Sequence, residues 1–445
     1  MPAPPTISEV QGSSWKFVVR ALRHRNYQLF FGGQGISLIG TWMTRVATGW
    51  LVYRLTNSAL LLGLVSFAGQ IPILFLGPFA GVWVDRLDRR RVLIATQVLS
   101  MIQSFWLAAL ALTNRITVND IIWLNLFQGA INAFDMPARQ AFVPEMVEDR
   151  NDLANAIALN SSLINGSRLI GPSIAGLIIA ATNEGYCFLI DGVSYIAVIA
   201  SLIAMKVARR ERRPKQQLRT ELSEGWSYSW RFAPVRSILL LLALVSLVGM
   251  PYTVLMPMFA GAILHGGPNT LGFLMAATGV GALLGAIMLA ARRTVIGLGR
   301  LIPIATTAFG AGLIAFAASR FFWFSMLLLF VTGYGMMQQM AASNTILQTI
   351  VPDEKRGRVM SFYSIAFQGI APFGSLFAGL IANRFGAPLT LASGGALCLF
   401  AAGWFARQLP AIREVVRPIY VQLGIIPEVA SGIQAASALQ VPPEE

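Results

Sequence analysis

Long apolar runs separated by short polar joints dominate the chain. Marking the runs bounded by charge, Gly or Pro gives twelve: 28–53, 60–84, 92–112, 121–138, 153–181, 186–205, 238–261, 271–291, 301–318, 321–342, 359–382 and 387–406. A helix needs about 20 residues to cross a hydrocarbon core about 30 Å thick, so each run approximates one crossing. Lipid offers no hydrogen bonds to the backbone, which forces such runs into helices. The pattern predicts an all-α membrane protein of twelve transmembrane helices. It divides into a cytoplasmic N-terminal segment (1–26), a six-helix bundle (27–205), a cytoplasmic linker (206–236), a second six-helix bundle (237–408) and a cytoplasmic tail (409–445).

Charge fixes the orientation. Only 12% of the 445 residues are charged and 55% are hydrophobic, with a mean hydropathy of +0.63. The net charge of +14 raises nucleic acid as a partner, but the basic residues sit in short turns between apolar runs. That is the positive-inside pattern, and it argues against a nucleic-acid role. Of the 34 Lys and Arg, Arg54, Arg115, Arg320 and Arg384 fall on one side, while Arg45 and Arg168 fall inside runs. All the rest fall on the other side, which places both termini in the cytoplasm. The leading residues do not read as a secretory signal. The piece from Trp15 to Arg25 reads either as a surface helix or as a disordered basic leader, and 419–438 as a stretch lying on the membrane. Cys187 and Cys398 lie alone within apolar runs, which gives neither a disulfide framework nor a metal site. There is no P-loop, so the chain does not hydrolyse ATP itself.

Two runs resemble each other. Gly171 aligns with Gly374, and Ala175-Gly-Leu-Ile with Ala378-Gly-Leu-Ile. At the same offset Ser161 aligns with Ser364 and Asn165 with Gln368. The offset is nearly half the chain, so the two bundles are pseudo-repeats.

Polar residues inside the runs recur at helical spacing. One stripe is Gln34, Ser37, Thr41, Arg45 and Thr48; another is Asn125, Gln128, Asn132, Asp135 and Arg139; a third is Ser161, Asn165, Arg168 and Pro172. Lipid satisfies none of these, so they face the bundle interior. An intramembrane charge costs roughly 2.5–3.5 kcal/mol or more, so each calls for a partner or a wet cavity. Asp191 is the one carboxylate well inside a run; Asp135 lies near the end of its own. Asp191 is the candidate proton-carrying group, its proton affinity tuned by Arg168 or Arg45. The structural alternative is an Asp191–Arg168 ion pair that locks two helices together. For Arg45 the readings are a gate or anionic-substrate contact, or snorkelling to the surface.

The joint Gly81-Val-Trp-Val-Asp85-Arg86-Leu-Asp88-Arg89-Arg90-Arg91 resembles the loop between helices 2 and 3 of the major facilitator superfamily. Gly81, Asp85, Arg86, Arg89 and Arg90 match its motif, and Asp88 replaces the usual second Gly. The stretch Ser167-Arg-Leu-Ile-Gly171-Pro172-Ser-Ile-Ala175-Gly176 is similar to the Gly-Pro motif of exporters. Gly40-Thr-Trp-Met and Phe134-Asp-Met-Pro-Ala-Arg-Gln look like the branch that holds enterobactin and macrolide exporters. The resemblance implies a bacterial inner-membrane exporter, not an enzyme, that works as a monomer without cofactor. It would move a small amphipathic compound by alternating access, in exchange for protons. It implies a central cavity lined by spans 1, 4, 7 and 10, with Thr253, Met256, Tyr334 and Gln338 as further cavity residues. The resemblance also gives Asp85 a gating role, with capping of a helix N-terminus. One departure stands out: Asn125 occupies the place of an Arg that many proton-coupled members carry. This keeps a uniporter or importer as an alternative, beside a non-transporting receptor or scaffold.

Overall fold

The computed structural model describes residues 20–147, 149–206, 227–292 and 294–426. Among these residues there is no strand. A 3-10 turn, Arg20–Arg23, leads into α1 (Arg25–Thr56), α2 (Ala59–Arg86), α3 (Arg89–Leu112), α4 (Val118–Phe142), α5 (Leu153–Ala181) and α6 (Glu184–Ala204). The second half runs α7 (Ala233–Ile263), α8 (Pro268–Ala290), α9 (Leu298–Ala318), α10 (Phe322–Ile350), α11 (Asp353–Phe385) and α12 (Ala387–Gln422). The piece before Arg20, most of the linker and the tail after Ile426 lie outside the described residues.

Small polar residues set the breaks between helices. Asn57 takes the left-handed conformation that ends α1, and Ser58 caps α2 by accepting from the Leu61 N–H. Thr117 and Asp120 form a capping box at α4, and Asn183 caps α6. α12 runs on beyond the end of its apolar run, through Pro410 and Pro418. Leu409, Ile412 and Val416 stay buried on one face, and that burial outweighs two lost backbone bonds.

Nine described helical stretches are long and apolar enough to cross a membrane. The three long helices outside that set are α1, α4 and α10, with 32, 25 and 29 residues. Their length suffices; their polar content sets them apart. α1 and α4 carry two of the stripes described above, and α10 carries Gln338, Gln339 and Ser343, all buried.

In the first half α1 lies between α5 and α6, α2 packs on α4, and α3 on α4 and α6. The second half makes the same choices: α8 packs on α10, and α9 on α10 and α12. The halves meet along two helix pairs, α2 with α11 and α5 with α8.

Candidate functional site

The closest approaches of both helix pairs lie towards one end, and on α8 they continue to Gly279, where a Cβ would stand 3.1 Å from the Leu169 Cα. A Cβ on Gly63 would stand 2.6 Å from the Ser375 carbonyl oxygen, and one on Gly379 2.8 Å from that of Ala59. The α5–α8 pair repeats this: a Cβ on Gly272 would stand 2.5 Å from the Pro172 oxygen, and one on Gly176 2.7 Å from that of Pro268. Such backbone-to-backbone approach requires glycine. Ser66 bonds Ser375 at 3.2 Å on the same side. Towards the other end, where Arg86, Arg89 and Arg90 cluster, the pairs part. Along the α5 stripe Pro172 is buried, Arg168 and Asn165 are half-buried, and Ser161 is exposed. On α11 Gln368 is exposed. The apolar core agrees. A cluster containing Trp50, Leu62 and Phe188 runs on into the second half, while Tyr27, Phe30, Phe142 and Leu202 form a separate cluster at the basic end. The halves therefore enclose a cleft that is closed at one end and open at the basic end.

Midway along this cleft the structure brings Arg45, Arg168 and Trp42 together. The Arg45 guanidinium lies 4.7 Å from the Trp42 ring centroid and that of Arg168 lies 5.7 Å away. Gly171 makes this possible, since a Cβ there would stand 2.5 Å from the Trp42 Cβ. Arg45 is exposed, although Val46 and Ala47 beside it are buried. One turn further on the same face, Gly49 approaches Pro257 of α7. The face therefore points at the other half. Among the described residues neither Arg forms an ion pair.

Asp191 is elsewhere. It is 1% exposed and packs where Gly40 leaves room, a Cβ there standing 2.7 Å from its Oδ1. Its Oδ2 accepts hydroxyl bonds from Thr44 at 2.9 Å and Ser104 at 3.0 Å. Oδ1 has no partner among the described residues. The Asp191–Arg168 pair, the structural alternative, is not formed among the described residues: Asp191 meets the Gly40–Thr44 face of α1 and Arg168 its Trp42 face.

The α4 stripe turns largely to α3. Asp135 accepts from Thr96 at 2.9 Å and Gln97 at 2.8 Å, and pairs with Arg139 one turn on. Gln128 donates to Ser100 at 3.0 Å and to Asn132 at 3.3 Å, and Asn125 returns to the Ile121 carbonyl. On α1, Gln34, Ser37 and Thr48 are buried, and Thr41 bonds back to the Ser37 carbonyl. In the second half Met256 and Gln338 are buried, and Thr253 bonds back to the Met250 carbonyl. Tyr334 accepts from Gln338 at 3.2 Å and donates to the Met288 sulfur at 3.5 Å. Arg45, Asn165 and Gln368 are exposed or half-buried, while Asp191 and Asp135 are held by partners within the first half and Gln34, Met256 and Gln338 are buried.

Residues 18–417 match the family model described as transmembrane secretion effector. The chain belongs to this family of the major facilitator superfamily. It is 27% identical to the staphyloferrin A transporter of Staphylococcus aureus, over 80% of this chain and 89% of that one. It is 28% identical to the multidrug efflux pump Tap of Mycolicibacterium fortuitum, over 84% and 93%. Its fold matches a bacterial homologue of the human lysosomal transporter Spinster, solved inward-facing, with a TM-score of 0.68, 14% identity and coverage of 90% and 98%. The protein is a multi-pass membrane transporter and not an enzyme.

The major facilitator joint has a local logic in which Asp88 takes part. Asp85 lies in the last turn of α2, and its side chain lies outside the described residues. Asp88 is the cap of α3, accepting from the Arg91 N–H at 3.2 Å. Arg89 reaches the Ala141 carbonyl in the last turn of α4 and Glu145 just beyond it, and Arg90 donates to the Leu202 and Ile203 carbonyls, each at 2.7 Å. Arg86 is exposed, and Gly81 meets no neighbour. The joint ties the basic ends of α3, α4 and α6 into one unit. In the Gly-Pro motif, Gly171 serves α1 and Gly176 serves α8, so the motif is a two-sided contact surface within an unbroken α5.

Sequence reasoning missed Trp42, Thr44 and Ser104. Trp42 stands three residues before Arg45, which is one helical face, and that signal was available. Thr44 and Ser104 are ordinary core hydroxyls until the fold sets them on one carboxylate.

Proposed function

We propose that this transporter is a bacterial inner-membrane exporter with twelve spans in two six-helix pseudo-repeats, both termini in the cytoplasm, acting as a monomer. It moves a small amphipathic compound, drug-like or siderophore-like, outward by alternating access in exchange for protons. The cleft is the observation that carries this reading. The positive-inside rule makes its open, basic end cytoplasmic, which is where an exporter loads. α1, α4 and α10 are too polar for lipid on every face and fit a role around a cavity. The matched packing of the two halves supports pseudo-repeats that rock about a midplane site. The named relatives support a siderophore-like or drug-like cargo.

Asp191 is the proposed proton-carrying group. Its carboxyl has hydroxyl donors on one oxygen and none on the other. It also touches α1, the helix that carries Trp42 and Arg45. Substrate that presses on α1 would alter the Thr44 contact and with it the hold on the proton. This route runs through α1 and needs no direct Arg–Asp contact.

The test is substrate-evoked proton release in inverted vesicles, with siderophores, macrolides and lipophilic cations as substrates. Release by the wild type and none by Asp191→Asn is the expected result. Equal release by both would remove Asp191 from coupling. Flux that continues without proton movement would favour the uniporter reading, which Asn125 supports by standing where many proton-coupled members carry Arg.

A further inference from the structure

We infer that Arg45, Arg168 and Trp42 form the head-group site of the transported compound, and that the head group is an anion of the carboxylate class. The inference rests on the exporter reading and narrows its cargo.

Two guanidiniums share one indole in the middle of the chain's most apolar region. Stacking on Trp offsets only part of what an intramembrane charge costs. Two like charges this close also repel. A carboxylate from the protein would relieve both costs, but the interior carboxylates are committed elsewhere. Asp135 is held by Thr96, Gln97 and Arg139, Asp191 by Thr44 and Ser104, and Glu184 by Arg54 at 2.8 and 2.9 Å. The missing counter-charge therefore has to arrive from the cleft. Arg45 is exposed and Arg168 half-buried on that side, and guanidinium forks match the planar, two-oxygen geometry of a carboxylate. A second observation points the same way. Tyr252 of α7 sets its buried hydroxyl beside Arg168 of the other half and Thr278 of α8. It can donate to an anion held by Arg168. Trp42 offers its ring to the apolar part next to the head.

The test uses purified protein in lipid nanodiscs with two probes, pyrenebutyrate and its methyl ester. Binding is read by energy transfer from tryptophan to pyrene, with protein-free nanodiscs subtracted. The wild type is expected to bind the acid at least tenfold more tightly than the ester. Arg45→Gln and Arg168→Gln each reduce that preference to below threefold and leave ester binding within twofold, which also reports an intact cleft. If a glutamine variant does not assemble, the matching lysine variant, which keeps the charge and loses the planar fork, is expected to retain a preference of two- to fivefold. Equal binding of acid and ester by the wild type, or a preference unchanged in the variants, overturns the anion site. Such a result alongside substrate-evoked proton release would leave the exporter standing. Loss of proton release with the preference intact would do the reverse.

Discussion

Arg89 and Arg90 sit in the first turn of α3, where the helix dipole disfavours cations. They are stable there because each reaches a different helix end, where carbonyls and Glu145 supply negative charge. Arg90→Ala removes both bonds to the end of α6 and is expected to lower stability by about 1.5–3 kcal/mol, as charged hydrogen bonds do. Thermal unfolding in detergent checks this. Asp88→Ala removes the α3 cap and is expected to cost about 1 kcal/mol, whereas Asp88→Gly, which restores the usual motif residue, costs only a few tenths. Equal losses for the two substitutions would show that Asp88 is not acting as a cap. The motif residues were legible in the sequence, but the capping role of Asp88 was not, because a cap is defined only once the helix start at Arg89 is known.

At the scale of elements, glycine sets how closely the halves meet. A side chain at Gly63 or Gly379 would strike backbone atoms, which do not give way as a flexible side chain does. Gly63→Val is expected to cost the closed end about 1–3 kcal/mol of overpacking. It should therefore shift the protein towards the opposite opening, seen as faster thiol labelling of a cysteine placed at Ser66, from the outer side. No change in labelling would show that the α2–α11 contact is not a gate. The second half has its own device, three π-helical segments among the described residues, one of them Phe259–Ile263 near the end of α7. Val245–Gly249 in α7 and Ile365–Gly369 in α11 meet where Ser246 donates to the Phe367 carbonyl at 2.5 Å. A π segment leaves carbonyls without their usual helical partner, and Ser246 supplies one. The all-helical membrane architecture was readable from the apolar runs because lipid imposes length and composition. The π segments and the extension of α12 were not, since both depend on contacts made after the helices assemble. The stripe pattern does not distinguish a cleft from a helix–helix seam, and the α4 stripe turned out to line a seam with α3.

For the whole molecule, the central claim is that the two halves rock about the midplane and expose the Arg45–Arg168 region to one side at a time. The described conformation has Ser58 3.5 Å from Asn383 across the closed end, while Ser161 is exposed at the basic end. The measurement is pulsed electron-spin distance measurement in nanodiscs on two label pairs, Ser58/Asn383 across one end and Ser161/Ile287 across the other. Cys187 and Cys398 are buried and stay out of the labelling. Under an imposed proton gradient with a transported substrate, the first distance is expected to lengthen as the second shortens, and the Asp191→Asn variant is expected to stay in one state. Two distances that remain fixed during transport, or that lengthen together, would contradict alternating access between these halves.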